Sequence, residues 1–313
     1  MTVADSHCHA WEVWPYSVDV PDPSTRGSID QLMSELDAHH VERALVVCAS
    51  IGPGDETPRD NNEYVARAAA EHPNRISYVV DIDSEWSPHH HQAGAVDRVE
   101  AMLAAHPHAV GISHYLGADD DGWLRTDEAV GFFSSLSTRS LVASVSCPPS
   151  RLRDLTELAV ALPDVTFLIH HMGWLRAESS TLQTDLEALL AASSFSNVYV
   201  KISGFHYASR ENWNFPYLDT GPILRAIVST FDPTRLLWGS DFPASQGKVT
   251  YRQALAAPAT LLPGLTDLQL DGLMGDNLVA LLDRAAPIPR TADLSTAPPQ
   301  NGTTRNAGNH ADG

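Results

Sequence analysis

Eight short apolar runs rich in β-branched residues recur along the chain, and they constrain its fold more than any other feature. They occupy residues 3–9, 43–50, 75–82, 109–116, 141–147, 165–171, 197–204 and 235–241. Stretches with helical spacing separate them, such as those that open at Ser28, Asp60 and Ser150. Strands that alternate with helices form a parallel sheet, because parallel neighbours need a crossover connection. Eight such repeats predict an α/β protein, a closed (β/α)8 TIM barrel.

A doubly wound open sheet is the alternative fold, but no glycine-rich phosphate loop follows the first run. After the eighth run, residues 251–261 and 267–285 have the spacing of two closing helices. From Pro287 onward the chain is rich in Pro, Thr, Ser, Asn and Gly and has almost no apolar residues. Such a segment cannot offset its own ordering entropy. The sequence therefore predicts one barrel domain over 1–286 and a disordered tail over 287–313.

Charge and cysteine content narrow the class of partner. The net charge is −19, from 39 acidic and 20 basic residues, and no run of lysine or arginine interrupts the acidic character. This balance argues against nucleic acid and against an anionic membrane, and leaves a small-molecule substrate. Three cysteines and the absence of a secretory leader or a bilayer-length apolar run predict a cytoplasmic protein with reduced thiols. A homo-oligomer is compatible with the sequence.

The motif DSHCH near the start of the chain is the first candidate for chemistry. Residues two apart in a strand share a face, so His7 and His9 point to one side and Cys8 to the other. Active sites of TIM barrels lie at the carboxyl ends of the strands, where this pair falls. Barrel closure places the eighth strand beside the first, which brings Asp241 to the same rim. Two imidazoles and a carboxylate can hold a divalent cation, or can orient and deprotonate a water molecule.

A further imidazole comes from the segment VTFLIHHMG. His170 and His171 have opposite parity, so strand alternation allows only one of them to face the barrel interior. Parity alone does not choose between them. The position of His171 at the end of the strand, directly before the turn at Met172 and Gly173, favours His171.

Several segments together resemble the amidohydrolase-related family, in the branch of lactonases such as L-fuconolactonase and pyrone-dicarboxylate lactonase. They are DSHCHAW, GISHYL, FLIHHMG, VYVKISG, FDPTRLLWGSDFP and MGDNLVALL, and the likeness runs from about residue 4 to 284. The resemblance implies a (β/α)8 barrel whose site is lined by His7, His9, His171 and Asp241. It also strengthens the preference for His171 over His170.

The resemblance leaves the metal requirement open. Metal-dependent relatives usually supply another histidine at the end of strand five, whereas this chain has Cys147 followed by Pro148. A Cys147 thiolate can ligate zinc, which would give a site of His7, His9, Asp241 and Cys147 for one divalent metal. The lactonase relatives often lack that histidine and act without a metal.

A second set of residues is expected to bind substrate. Lys201 lies in an otherwise apolar run, where it either faces the cleft or extends its ammonium past a helix. His114 stands in Gly-Ile-Ser-His, where sugar-lactonase relatives tend to have Gly-Ile-Arg-His, and its alternative role is core packing. The long segment 205–218 and the aromatic residues after the first run add the others. The expected substrate-binding residues are Trp11, His114, Lys201, His206, Arg210 and Trp213.

The chemistry that fits these residues is the addition of water to an activated carbonyl. Ring opening of a lactone is the first expectation, with Asp241 as general base and His7, His9 and His171 polarising the carbonyl directly or through a metal. A metal-dependent decarboxylase of an aromatic or unsaturated acid and an inactive binding barrel are the alternatives. The run His89 to His91, in a polar stretch before a helix, is expected to be solvated.

Overall fold

The computed structural model describes residues 2–17, 19–51 and 60–285, and the predicted tail over 287–313 lies outside these ranges. In the described residues, eight strands form one parallel sheet in which every strand pairs with its neighbour in sequence order. The strands are Ala4–Cys8 (β1), Arg43–Val47 (β2), Ile76–Asp81 (β3), Gly111–Tyr115 (β4), Val142–Ser146 (β5), Thr166–Ile169 (β6), Val198–Ile202 (β7) and Leu236–Trp238 (β8). The predicted (β/α)8 TIM barrel is confirmed.

Helices fill the connections and cover the outer face of the sheet. They are Ile29–Ala38 (α1), Asn61–Glu71 (α2), Ala95–Ala105 (α3), Asp127–Ser134 (α4), Leu152–Ala161 (α5), Leu182–Ala191 (α6), Phe205–Ala208 (α7), Gly221–Thr230 (α8), Tyr251–Leu261 (α9), Asp267–Asp271 (α10) and Asn277–Arg284 (α11). None of the helices in the described ranges has both the length and the apolar character that crossing a membrane requires.

Capping side chains set where the first helices begin. The Ser28 hydroxyl accepts a hydrogen bond from the Gln31 amide at 3.3 Å, and the Asp60 carboxylate accepts one from the Glu63 amide at 3.2 Å. Each bond satisfies a backbone donor that has no partner within the helix. The start predicted at Ser150 is wrong by one residue, because a 3-10 turn over Pro149–Arg151 precedes α5 and makes Arg151 its N-cap.

The first and last strands close the barrel along a seam. The Asp241 amide donates to the His7 carbonyl at 2.7 Å, and the His9 amide donates to the Phe242 carbonyl at 2.6 Å. The buried Asp5 carboxylate fastens the same seam, because it accepts hydrogen bonds from the Ser240 amide at 3.0 Å and the Ser240 hydroxyl at 2.5 Å. Closure therefore fixes the position of the segment after β8 against the end of β1.

Two apolar layers result from strand alternation. Side chains such as Leu45, Val79 and Leu168 pack inside the barrel, whereas Val46 and Phe167 pack between the sheet and the helices. Both layers are almost free of solvent exposure. The interior layer is apolar toward the amino ends of the strands and becomes polar toward their carboxyl ends. The polar residues inside the barrel therefore lie at one end.

Candidate active site

The Asp241 carboxylate lies at the centre of a ring of imidazoles. One oxygen, Oδ1, is 3.6 Å from His7 Nε2, 3.6 Å from His9 Nε2 and 3.8 Å from His171 Nε2. The other oxygen, Oδ2, is 3.8 Å from His206 Nε2. All five residues are buried. The structure therefore brings together His7, His9, His171 and Asp241, and adds His206 to them.

Backbone geometry at the seam delivers Asp241 to this position. Asp241 has a left-handed backbone with φ of 57°, which turns its side chain away from the direction of β8. Two residues earlier, Gly239 packs so closely against β1 that a Cβ there would lie 2.6 Å from the Cβ of His7. Only glycine allows this approach, so Gly239 sets how near β8 comes to the histidine strand.

Both histidines at the end of β6 contact His7, so the prediction that only one of them faces the interior is wrong. The ring centroids of His170 and His171 lie 4.5 Å and 4.4 Å from that of His7. His170 follows the alternation of the strand. His171 does not, because its φ of 47° and ψ of 45° begin a left-handed turn that continues through Met172 and Gly173. The turn rotates His171 back over the barrel.

Lys201 lies beneath the imidazoles and is fully buried. Its Nζ is 2.7 Å from Ser144 Oγ and 3.2 Å from His7 Nδ1, and Ser144 Oγ is in turn 2.7 Å from His170 Nε2. Burial lowers the pKa of Lys201 to about 7. A protonated amine donates to His7 Nδ1 and leaves the imidazole proton on Nε2, whereas a neutral amine can accept a hydrogen bond from Nδ1–H and leaves a lone pair on Nε2. Lys201 thus contacts His7 at Nδ1, the ring nitrogen opposite to the one that faces Asp241.

The electrostatics of the cluster favour a carboxylate among neutral imidazoles. Burial pushes the pKa of Asp241 upward, but the neighbouring His171 and His206 outweigh it and hold this pKa below its usual range. Burial also lowers the pKa of His171 to about 4 and that of His7 well below its usual range. At neutral pH Asp241 is therefore an ionised proton acceptor, and its neighbours can donate an N–H or offer a lone pair.

The donor set fits a divalent cation. His9 Nδ1 lies 2.9 Å from the Val47 carbonyl oxygen, which can only accept, so His9 carries its proton on Nδ1 and directs a lone pair from Nε2 at Asp241. His7 Nε2 and Asp241 Oδ2 are buried without a hydrogen-bond partner. Ligand atoms of His7, His9 and Asp241 lie within 4.8 Å of one another. A cation among these atoms would satisfy all of them.

Cys147 is not brought to this cluster. Among the described residues, the groups whose ligand atoms lie close together contain only histidine and aspartate. The buried Cys147 thiol donates to the Pro148 carbonyl at 3.5 Å, and burial raises the pKa of this thiol. A raised pKa disfavours the thiolate that binds metal.

Four of the other expected substrate-binding residues lie in three different surroundings. Trp11 is buried, donates from Nε1 to the Ala49 carbonyl at 2.7 Å and stacks on the His9 ring at 5.0 Å, so it orients His9. His206 and Arg210 line a cavity of about 180 Å³, and His206 links its wall to Asp241, which lies 3.8 Å from the ring and does not itself line the cavity. Trp213 is 67% exposed and does not line that cavity.

Two further residues of this cavity were not singled out from the sequence. Arg176 and Trp174 line it together with His206 and Arg210, and the Trp174 ring lies 4.7 Å from that of His171. Both follow β6 in the segment HHMGWLR, where Trp174, with φ of 55°, is the last residue of the left-handed turn. Their position in a βα loop at the carboxyl end of a strand was the signal available in the sequence.

His114 lies on the outer side of β4 and is not brought to Asp241. Its ring packs 5.3 Å from that of Phe132 in α4, and its Nδ1 is 2.9 Å from the Ile82 carbonyl oxygen. The prediction that His89 to His91 are solvated holds for His89 and is wrong for His91. The His91 side chain is 6% exposed, because it packs on Trp123 and its Nε2 lies 3.2 Å from that of His114.

Comparison with known proteins gives relatives of two kinds. An uncharacterized protein from Sinorhizobium fredii, y4mH, is 21% identical over 294 residues, which cover 88% of this chain and 97% of that protein. A 4-sulfomuconolactone hydrolase from Rhizobium radiobacter is 31% identical over 97 residues, which cover 31% of each chain.

Solved structures share the fold at low identity. An amidohydrolase from Burkholderia multivorans with bound zinc has a TM-score of 0.72 and 18% identity, over 92% of this chain and 100% of that one. A probable 2-pyrone-4,6-dicarboxylic acid hydrolase from Acinetobacter baumannii with bound citric acid has a TM-score of 0.70 and 18% identity, over 90% and 100%. A 5-carboxyvanillate decarboxylase from Sphingomonas paucimobilis has a TM-score of 0.57 and 12% identity, over 90% and 99%.

A family model described as amidohydrolase matches residues 4–284. The match spans the barrel from β1 to α11 and includes every residue around Asp241. It confirms the predicted family and the prediction of an amidohydrolase enzyme. The chain belongs to the amidohydrolase family.

Proposed function

We propose that this enzyme opens the ring of a small lactone that carries an acidic group. The observation that carries the proposal is the Asp241 carboxyl group held between four imidazoles at 3.6 to 3.8 Å. A base in this position can take a proton from water, and neutral imidazoles beside it can donate to an oxygen that gains negative charge.

The reaction divides between Asp241 and its neighbours. Asp241 accepts a proton as the water oxygen bonds to the lactone carbonyl carbon, while His171 and His206 donate N–H groups to the carbonyl oxygen. The ring C–O bond then breaks, and Asp241 returns the proton to the leaving ring oxygen. The product is a single hydroxy acid, and the base is regenerated.

A divalent cation such as zinc fits the same site, with His7, His9 and Asp241 as its ligands. When bound, it supplies Lewis-acid polarisation of the carbonyl oxygen and lowers the pKa of a bound water molecule. The role of Asp241 in proton transfer and the role of Trp11 in orienting His9 are the same with or without the cation. His9 presents its Nε2 lone pair in either case, because its Nδ1 proton is committed to Val47.

The expected acidic group of the substrate follows from charge near Asp241. Arg176 and Arg210 both line the cavity that contains His206. Arg176 is paired with Glu178 at 2.7 Å, which leaves the Arg210 guanidinium to bind a carboxylate or sulfonate. Relatives named as hydrolases of 4-sulfomuconolactone and of 2-pyrone-4,6-dicarboxylic acid support an acidic cyclic substrate. Flat aromatic side chains beside the cavity, Trp174 and Tyr207, suit a planar unsaturated ring.

A panel of neutral and acidic lactones, with aromatic carboxylic acids alongside, tests the proposal. We expect purified enzyme to hydrolyse the acidic lactones fastest, and Asp241→Asn to reduce kcat/KM by at least roughly 1,000-fold through loss of the base. Asp164→Asn, which changes an exposed aspartate, should leave the rate unchanged.

Release of CO2 from the aromatic acids without lactone hydrolysis would establish the decarboxylase alternative instead. Turnover by Asp241→Asn equal to that of the parent would remove Asp241 as the base. Elemental analysis of the same preparations, before and after treatment with a chelator, reports whether the protein carries a metal. Metal that the parent holds and Asp241→Asn lacks belongs to the barrel site.

A further inference from the structure

A second group of histidines lies on the outer side of the barrel wall. His114 occupies β4, where it points to the helix layer, while the next residue, Tyr115, points inward and lies 5.3 Å from His170. His90 and His91 come from the segment between β3 and α3 and converge on His114. The three residues each offer a ligand nitrogen, and these nitrogens lie within 4.8 Å of one another. We name this group the outer histidine cluster.

Hydrogen bonds fix the tautomer of each ring in the outer histidine cluster. His114 Nδ1 lies 2.9 Å from the Ile82 carbonyl oxygen, and His90 Nδ1 lies 2.7 Å from the Asp83 carbonyl oxygen. His91 Nδ1 contacts the Asp121 carboxylate. Carbonyl and carboxylate oxygens accept hydrogen bonds, so each Nδ1 carries the proton. In a neutral imidazole the other nitrogen, Nε2, then holds a lone pair.

Two of these lone pairs face each other at close range. His91 Nε2 and His114 Nε2 are 3.2 Å apart, a hydrogen-bond distance with no proton available from either neutral ring. A tetrahedral zinc ion with Zn–N bonds of about 2.0 to 2.1 Å separates its nitrogen ligands by about 3.3 to 3.4 Å. The observed separation therefore matches one edge of such a site, and a cation between the nitrogens removes the repulsion.

The surroundings have the features of an outer coordination layer. A ligating histidine in a metal site usually donates its second nitrogen to a carboxylate or a backbone carbonyl, as all three rings do here. The His91 ring stacks on Trp123 at 4.1 Å with planes 7° apart, which limits its rotation. Asp121 also accepts from the Trp123 amide at 3.1 Å, so the carboxylate is held in place.

We propose that the outer histidine cluster binds one zinc ion, or a transition metal ion of similar preference, separately from the barrel site. His90, His91 and His114 are the ligands, and Asp121 orients His91. The ion joins the β3–α3 connection to the end of β4, so its effect is on stability. The proposal does not depend on the lactone chemistry, because the cluster lies on the other side of the β4 wall from Asp241.

Metal titration of variants isolates this site. In a His7→Asn/Asp241→Asn background, which removes a ligand from both barrel groups (His7, His9 and Asp241; His7, His170 and His171), we expect one zinc ion to bind per chain at micromolar or lower concentration. Adding His91→Asn should weaken that binding at least roughly 100-fold, and adding His90→Asn should do so as a second, more exposed variant. His89→Asn, a change of the exposed neighbouring histidine, should leave it unchanged.

Cobalt substitution adds a spectroscopic readout. Cobalt in the background variant should give visible absorption bands of a nitrogen-rich site, and these bands should disappear in the His91→Asn and His90→Asn variants. Zinc affinity that is the same with and without His91 and His90 would overturn the proposal. Absence of any zinc binding in the background variant would also overturn it, and would show that His91 and His114 share a proton only.

Discussion

Asp81 illustrates how a single buried carboxyl can shape the pH response of the fold. It ends β3 and is buried, where it accepts hydrogen bonds from the Ser50 amide at 2.7 Å and from Trp86 Nε1 at 2.8 Å. Burial nevertheless raises the pKa of Asp81 to about 6, despite these hydrogen bonds. The folded state therefore binds a proton at Asp81 more tightly than the unfolded state does.

This difference predicts a pH dependence of stability that Asp81→Asn should remove. Below the unfolded pKa of 3.8, Asp81 is protonated in both states, and its ionisation does not affect the free energy of unfolding. As pH rises from about 4 to about 6, the unfolded state ionises first, so the free energy of unfolding falls by roughly 3 kcal/mol. Urea unfolding at several pH values should show this fall in the parent relative to Asp81→Asn. A difference between the two proteins that stays constant with pH would contradict the prediction.

The sequence predicted the positions of site residues correctly where regular strand geometry determines which way a side chain points. His7 and His9 share a face because of alternation, and closure brings Asp241 to them, so this trio followed from the sequence. His170 was set aside because strand alternation was expected to admit only one of the two histidines. The turn was located at Met172 and Gly173, whereas the left-handed backbone already begins at His171 and brings both rings to His7. His91 was expected to be solvated, since the carboxylate that holds its ring lies 30 positions away in sequence.

At the scale of elements, the turns that follow the strands determine how the imidazoles point. Gly204 follows β7 with a left-handed φ of 65°, and a Cβ at this position would lie 2.6 Å from His171 Nδ1 and 2.9 Å from Tyr207 Cδ2. The glycine therefore leaves the space into which the β6 turn places its imidazole. Helix starts at Ser28 and Asp60 were predictable from local capping, but this fit between two turns depends on the packed barrel.

Gly204→Ala should displace His171 without unfolding the barrel. We expect kcat to fall by roughly 100-fold, because a shift of about 1 Å in a group at the reaction centre has effects of this size. The left-handed backbone adds a loss of stability of about 1 to 2 kcal/mol. Gly264→Ala is the matched control, because a Cβ there meets nothing within 4 Å. Equal kcat values in the two variants would show that the position of His171 does not limit the reaction.

At the scale of the whole molecule, the seam between β1 and β8 joins closure to catalysis. Asp5 accepts from the Ser240 amide and hydroxyl, from the His7 amide at 3.0 Å and from the Tyr251 hydroxyl at 2.7 Å. These donors come from both sides of the seam and from α9. One buried carboxylate thus ties the ends of the sheet together next to Asp241.

Asp5→Ala should be more damaging than the loss of any one of its partners. It leaves several buried donors without an acceptor, so we expect the free energy of unfolding to fall by at least about 3 kcal/mol. Tyr251→Phe removes one donor only and should cost about 1 to 2 kcal/mol. Denaturant unfolding of both variants measures the difference. A loss in Asp5→Ala no larger than that in Tyr251→Phe would contradict this role for the carboxylate.

The distance along the chain between the two sides of the seam affects when the active site can form during synthesis. Asp5 and Ser240 are 235 positions apart, so the ribosome must release nearly the whole barrel before the nascent chain can form their bond. Until then, His7 and His9 on β1 lie in an unclosed sheet without the Asp241 carboxylate. The active site therefore forms in a single late step of synthesis. A chain that terminates before residue 241 carries His7 and His9 but lacks Asp241, the proposed base.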